Sequence, residues 1–170
     1  MVITGRLGFL KDYLRYGVVT EKYPYEPVPT PETFRGKPVI DTSKCLGCGA
    51  CVNACPANAL SIEDDLKEGI RWVRLFIGRC IYCGRCADAC PVNAISLSRE
   101  FELSTLENEE LFQEVGLRMV RCVICGKPFT TYRLVKEVMK GLEPDERPLL
   151  LVCPECRAKL AARNASFARW

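Results

Sequence analysis

Twelve cysteines fall in three groups along a chain of 170 residues, and eight of them spell one phrase twice. The first copy is Cys45, Cys48, Cys51 and Cys55 followed by Pro56; the second is Cys80, Cys83, Cys86 and Cys90 followed by Pro91. Three thiolates spaced in this way wrap a turn of backbone around three corners of a cubane iron-sulfur cluster. The fourth, displaced and followed by proline, reaches the neighbouring cluster. The spacing predicts one [4Fe-4S] cluster held by Cys45, Cys48, Cys51 and Cys90, and a second held by Cys80, Cys83, Cys86 and Cys55. Cysteines that were merely buried or disulfide-bonded would have no reason to repeat this ligand order.

The repeat extends past the ligands, since residues 55–62 are echoed by residues 90–97. A duplicated half-domain follows, each half supplying a cluster loop, a short helical turn after the proline and a strand at 60–62 or 95–97, related by a pseudo-two-fold axis. Asp64, Asp65 and Gly69 mark a turn, and residues 70–77 read as an extended segment leading into the second loop. The predicted class is α+β: a bacterial-type two-cluster ferredoxin domain at 35–100, preceded by a helix and proline-rich strip at 1–34. A linker at 101–117 and a separate cysteine domain at 118–170 complete the chain.

Composition bounds the chemistry. With eight cysteines given to clusters, apolar neighbours such as Leu46, Val52, Ile81 and Ala87 would exclude water and hold the potential down, while Tyr82 and Arg85 make the second site more polar. The total absence of histidine excludes histidine-ligated clusters, the usual zinc hydrolase sites and histidine-dependent nucleophilic pairs, so no independent active site is expected. A net charge of +3 is too small to argue for nucleic acid. No signal peptide and no apolar run of bilayer length are evident, and cluster ligation favours a reducing compartment, so the expected location is the cytoplasmic side of the cell membrane.

Ile3, Leu7, Leu10, Leu14 and Val18 recur at helical spacing, with Phe9, Tyr13 and Tyr16 widening the stripe and Arg6, Lys11, Asp12 and Arg15 set among them. Such an amphipathic helix suits a membrane surface or a membrane-bound partner, the alternative being simple packing on its own domain. The prolines between Pro24 and Pro31 then enforce an extended strip fit to lie along another subunit.

The third cysteine group is of another kind. Cys122, Cys125, Cys153 and Cys156 form two short pairs that compose a four-thiolate tetrahedral site, in a zinc-ribbon or rubredoxin-like domain. Zinc is favoured because closed thiolate sites are most often structural; a single iron accepts the same sulfur geometry. Between the pairs, Leu134, Val135, Val138 and Met139 share a helical face that Gly141 ends, residues 149–152 read as a short buried strand, and the tail from Arg157 reads as helix. Arg157, Lys159, Arg163 and Arg169 would also suit a nucleic-acid-binding ribbon, but no interleaved aromatics for base stacking accompany them.

Residues 20–24, 34–38 and the two cluster phrases, taken in order, resemble the two-cluster ferredoxin subunit of respiratory NADH:quinone oxidoreductase and its hydrogenase relatives. With residues 76–86, Glu100–Leu103 and the late cysteine pairs added, the whole chain is similar to the formate hydrogenlyase branch. The resemblance implies a peripheral subunit of a membrane-bound group 4 nickel-iron hydrogenase. Its partners would be the hydrogenase small and large subunits, an upstream donor subunit (formate dehydrogenase, carbon monoxide dehydrogenase or a ferredoxin) and membrane-arm subunits met by the N-terminal helix. The expected function is electron relay through two clusters without a catalytic residue. The alternatives are the iron-sulfur subunit of a quinone reductase, and a free soluble carrier in which the third site serves as a cap.

Overall fold

The computed structural model of the chain describes residues 8–18 and 20–167. The chain divides into two compact units, Met1–Thr33 and Phe34–Trp170.

In the first unit, helix α1 runs from Gly8 to Tyr16. It ends because Gly17 turns left-handed at φ +61° and donates its N–H to the Tyr13 carbonyl at 3.1 Å, a glycine C-cap. Leu10, Tyr13 and Leu14 lie at i, i+3 and i+4 on one face, and all three are exposed. The predicted start at Ile3 lies outside the described residues. After the helix, the described residues up to the unit's end form turns and extended chain with a cis bond at Tyr23–Pro24, in keeping with the proline content.

In the second unit, the duplication is visible in the hydrogen bonds. Strand β1 (Pro38–Ile40) pairs antiparallel with β4 (Ile95–Leu97), and β2 (Leu60–Asp65) with β3 (Ile70–Phe76). Ile40 stands opposite Ile95 as Leu75 stands opposite Leu60. The bond from Asp41 N–H to the Ala94 carbonyl, 2.8 Å, has its counterpart in Phe76 N–H to Ala59, also 2.8 Å. Ile40, Ala59, Leu60, Leu75, Ala94 and Ile95 are all buried in one core, each large aliphatic contributing about 1.5–3 kcal/mol when fully buried.

The short helices differ from expectation. They lie before each proline, α2 at Ala50–Ala54 and α3 at Arg85–Asp88, and each starts from a left-handed glycine, Gly49 at φ +83° and Gly84 at φ +78°. Past the prolines the chain cannot continue helically, because Asn58 and Asn93 turn left-handed at φ 49° and 50°, a conformation asparagine tolerates better than most residues.

Strand β5 (Phe112–Arg121) adds to β3, and β6 (Pro128–Thr131) adds to β5, giving the sheet order β2-β3-β5-β6. The connector expected at 101–117 is therefore partly strand. Glu109 and Glu110 sit on a short 3₁₀ turn at Asn108–Leu111, and beyond it Val115 and Leu117 alternate inward onto the ferredoxin core. Alternation hidden in a polar context made this strand hard to see. Helix α4 (Tyr132–Met139) follows as expected, buries Val135, and is capped by Thr131, whose hydroxyl accepts from Leu134 N–H at 3.3 Å. The strand expected at 149–152 is instead a 3₁₀ helix at Arg147–Leu151, because Pro148 in its first turn fixes φ and removes a ladder donor. Helix α5 (Pro154–Phe167) carries the tail.

Candidate metal centres

The two cluster loops are built alike up to one residue. In each, the backbone after the fourth cysteine curls back so that an amide meets the sulfur: Ala59 N–H lies 3.3 Å from Cys55 Sγ, and Ala94 N–H lies 3.1 Å from Cys90 Sγ. Such donors stabilise a thiolate and tune the metal it would hold. At the loop entrance, Tyr82 N–H donates to Cys80 Sγ at 3.4 Å. Asp41 opens the first loop as an Asx turn onto the amide and hydroxyl of Ser43, and those bonds hold its carboxyl down at about 2.

The sulfurs are grouped across the two phrases. A largely apolar cavity walled by Pro38, Leu60, Leu75 and Leu97 is lined by Cys80, Cys83 and Cys86 together with Cys55 from the other phrase. Burial pushes the Cys80 thiol up, and nearby Cys55 and Cys83 add to it against the opposing Tyr82 amide. Burial likewise raises Cys45, with Cys48 and Cys90 adding, while the Gly47 amide and Arg133 oppose. Cys51 is pushed up to about 12, first by burial, then by Cys45 and Cys48, and also by Cys86 of the second phrase. Thiols crowded in apolar surroundings resist ionising alone and are suited to a cationic metal core that takes them as thiolates. The cavity fits one such group at Cys55, Cys80, Cys83 and Cys86, and the mutual influence of Cys45, Cys48, Cys51 and Cys90 fits a second.

The surroundings depart from the expected pattern of apolar shielding. Val52 and Ala87 pack on the core, but Ile81 is 61% exposed. Positions 47 and 82 occupy the same place in the repeat and share a left-handed backbone, φ +67° and +53°. Tyr82 packs against the core and lines the cavity, whereas a Cβ at Gly47 would stand 2.8 Å from both Leu117 Cδ1 and Thr131 Cγ2. The C-terminal half therefore packs on the first loop. Thr131, fully buried, donates its hydroxyl to the Leu46 carbonyl. Arg133 donates to the carbonyls of Thr42, Ser43 (3.1 Å) and Cys45 (3.2 Å). Arg71, forked onto Asp64 at 2.6 and 2.7 Å, reaches the Gly47 carbonyl at 3.1 Å. Sequence reasoning missed these three donors; the one available signal was the glycine in the first loop where the second carries tyrosine.

The third group assembles as a closed site. The sulfurs of Cys122, Cys125, Cys153 and Cys156 all lie within 4.8 Å of one another. Cys125 and Cys153 are 3.7 Å apart, close to the edge of about 3.8 Å that a tetrahedron with metal–sulfur bonds of about 2.3 Å requires. Amides of Cys153 and Ile124 donate to Cys122 Sγ at 3.3 and 3.5 Å, and the first of these chiefly draws that thiol down to about 6. Cys156 is pushed up to about 12, chiefly by its contact with Cys153. The first pair turns through Gly126 at φ +75° between β5 and β6, whereas the second pair sits at the start of α5. This differs from two strand-borne knuckles of a ribbon, and Pro154, well placed in a first helical turn, accounts for the helix. Val123 N–H to Leu151 O, 3.1 Å, ties the two pairs together.

Residues 44–94 and, overlapping them, 79–130 match the 4Fe-4S dicluster domain family. Formate hydrogenlyase subunit 6 of Escherichia coli (strain K12) is 41% identical over 156 residues, covering 88% of this chain and 87% of that protein. The chloroplastic NAD(P)H-quinone oxidoreductase subunit I of Angiopteris evecta is 37% identical over 147 residues, covering 80% and 81%. The solved membrane-bound sulfane sulfur reductase, an archaeal respiratory membrane complex, contains a chain 32% identical, with a TM-score of 0.47, and the match covers 62% of this chain and 57% of that one.

Proposed function

This chain belongs to the 4Fe-4S dicluster family, in the group that holds formate hydrogenlyase subunit 6 and quinone-oxidoreductase subunit I, and from that membership we propose that it is the electron-relay subunit of a membrane-bound hydrogen-evolving complex. When bound, two [4Fe-4S] clusters would supply one-electron carrier sites in series between an upstream donor and a nickel-iron hydrogenase module. Cys45, Cys48, Cys51 and Cys90 hold one, and Cys80, Cys83, Cys86 and Cys55 hold the other. The grouping of Cys55 with the three cysteines of the second phrase in one cavity is the observation that carries this crossed assignment.

The rest of the chain orients and shields. Leu60, Leu75, Leu97 and Pro38 keep water from the second sulfur set, and the amides of Ala59 and Ala94 support the two exchanged thiolates. Cys122, Cys125, Cys153 and Cys156 hold a structural zinc, with a single iron as the alternative. The exposed stripe of Leu10, Tyr13 and Leu14, with the proline strip after it, docks residues 1–34 on the membrane arm, while residues 35–100 carry the clusters and 118–170 the third metal. Among the described residues no helix is long and apolar enough to cross a membrane. The subunit is peripheral and works on the cytoplasmic side, where a reducing compartment keeps the cluster thiolates available. The late cysteine pairs, and a match to the formate hydrogenlyase subunit that covers 88% of the chain against 80% for the quinone-oxidoreductase subunit of Angiopteris evecta and 58% for that of Spinacia oleracea, favour a hydrogenase over a quinone reductase.

Affinity purification of the tagged chain from detergent-solubilised membranes tests the reading. Co-purification with a nickel-binding subunit is expected. Recovery as a lone soluble protein would displace it in favour of a free carrier, and recovery with a nickel-free quinone-reducing complex in favour of that alternative.

A further inference from the structure

The duplication gives two loops of the same backbone, yet the chain treats them unequally. The loop of residues 42–47 has its carbonyls taken up by donors from elsewhere: Thr42, Ser43 and Cys45 by Arg133, Leu46 by Thr131, and Gly47 by Arg71. Two of these donors lie at the junction of β6 and α4, inside the segment that separates the Cys122 pair from the Cys153 pair. In the second loop the corresponding position of Leu46 is Ile81, 61% exposed, and Tyr82 takes the place of the glycine against which Leu117 and Thr131 press. We infer that Thr131 and Arg133 make the C-terminal four-cysteine module a clamp on the first cluster loop alone, fixing its backbone and placing one fixed positive charge beside the cluster held by Cys45, Cys48, Cys51 and Cys90.

The physical consequence is a difference between two otherwise equivalent sites. A guanidinium beside a ligand's carbonyl favours the more negative, reduced state of the neighbouring metal group and raises its potential. Thr131 acts differently. Its hydroxyl accepts from Leu134 N–H and donates to Leu46, so it links the start of α4 to the loop in one hydrogen-bonded chain. Both are positioning residues: neither touches a sulfur. The inference rests on the crossed ligand assignment proposed above.

The test is a potentiometric titration followed by paramagnetic resonance on the full chain, with the two signals assigned through Cys48→Ser and Cys83→Ser. Two clusters in the unaltered protein are the precondition, and their absence would defeat the proposed function, not the clamp. Arg133→Met should move the midpoint of the first cluster to more negative potential and leave the second where it was. Arg133→Lys, which keeps the charge, should restore most of that shift. Arg133→Gln, which keeps a donor and drops the charge, carries the same test should the methionine variant fail to fold. Thr131→Val should speed loss of the first cluster in air several-fold without altering the second. Equal shifts in both clusters, a shift confined to the second, or no shift in either would overturn the clamp.

Discussion

A Cβ on Gly47 would stand 2.8 Å from the Thr131 methyl group, whereas Tyr82, at the same place in the repeat and with the same left-handed backbone, carries a whole phenol. Gly47→Ala should therefore destabilise the protein by about 1–3 kcal/mol from overpacking and about 1–2 kcal/mol more from the backbone. Tyr82→Gly relieves strain in its own loop while removing a half-buried ring, and should cost clearly less. Thermal unfolding of the two variants under anaerobic conditions measures the difference; equal losses would contradict the asymmetric packing.

Gln113 is the only glutamine in the chain. Its amide donates to the Pro38 carbonyl at 3.1 Å and its oxygen accepts from Ile40 N–H at 3.3 Å, so a side chain of β5 completes the free edge of β1. Gln113→Leu leaves both backbone groups without that partner and should cost about 1–3 kcal/mol. Faster amide exchange at Ile40 would locate the effect, and unchanged exchange there would refute it.

The exchanged cysteine gives a test of connectivity. Cys55→Ser should damage the cluster of Cys80, Cys83 and Cys86 and spare that of Cys45, Cys48 and Cys51, although Cys55 lies nearer the latter in sequence. Iron content and the two resonance signals read this directly. Loss of the first cluster with the second intact would reverse the assignment.

At the four-cysteine site, metal analysis of the purified chain should find zinc beyond the iron of the clusters. Cys156→Ser should remove that ion and, through the β6–α4 junction, perturb the first cluster signal more than the second. Finding iron in its place, with a ferric thiolate absorption band, would establish the rubredoxin-like alternative.

The cysteine phrases made the two ferredoxin halves and the strands β2, β3 and β4 legible, because ligand spacing dictates local backbone and the echo from 55–62 to 90–97 dictates symmetry; β1, a three-residue strand ahead of the first phrase and outside the echo, carried no such mark. The four late cysteines likewise announced a site that the fold assembles within 4.8 Å. What could not be read was long-range. The Thr131 to Leu46 bond spans 85 positions and that from Gln113 to Pro38 spans 75, and no local pattern encodes such pairings. Strand β5 was hidden for the same reason: Val115 and Leu117 acquire a buried face only once β3 is beside them. The turns after Pro56 and Pro91 were misread as helix because proline favours a first helical turn, while the left-handed Asn58 and Asn93 that follow prevent one.

The account stands most directly on a reductive titration of the anaerobically purified full chain, monitored by low-temperature paramagnetic resonance. It predicts two one-electron [4Fe-4S] signals of unequal midpoint potential that broaden one another when both are reduced, as two paramagnets held close together by the exchanged cysteines do. One cluster signal, or two that titrate together without interacting, would contradict it.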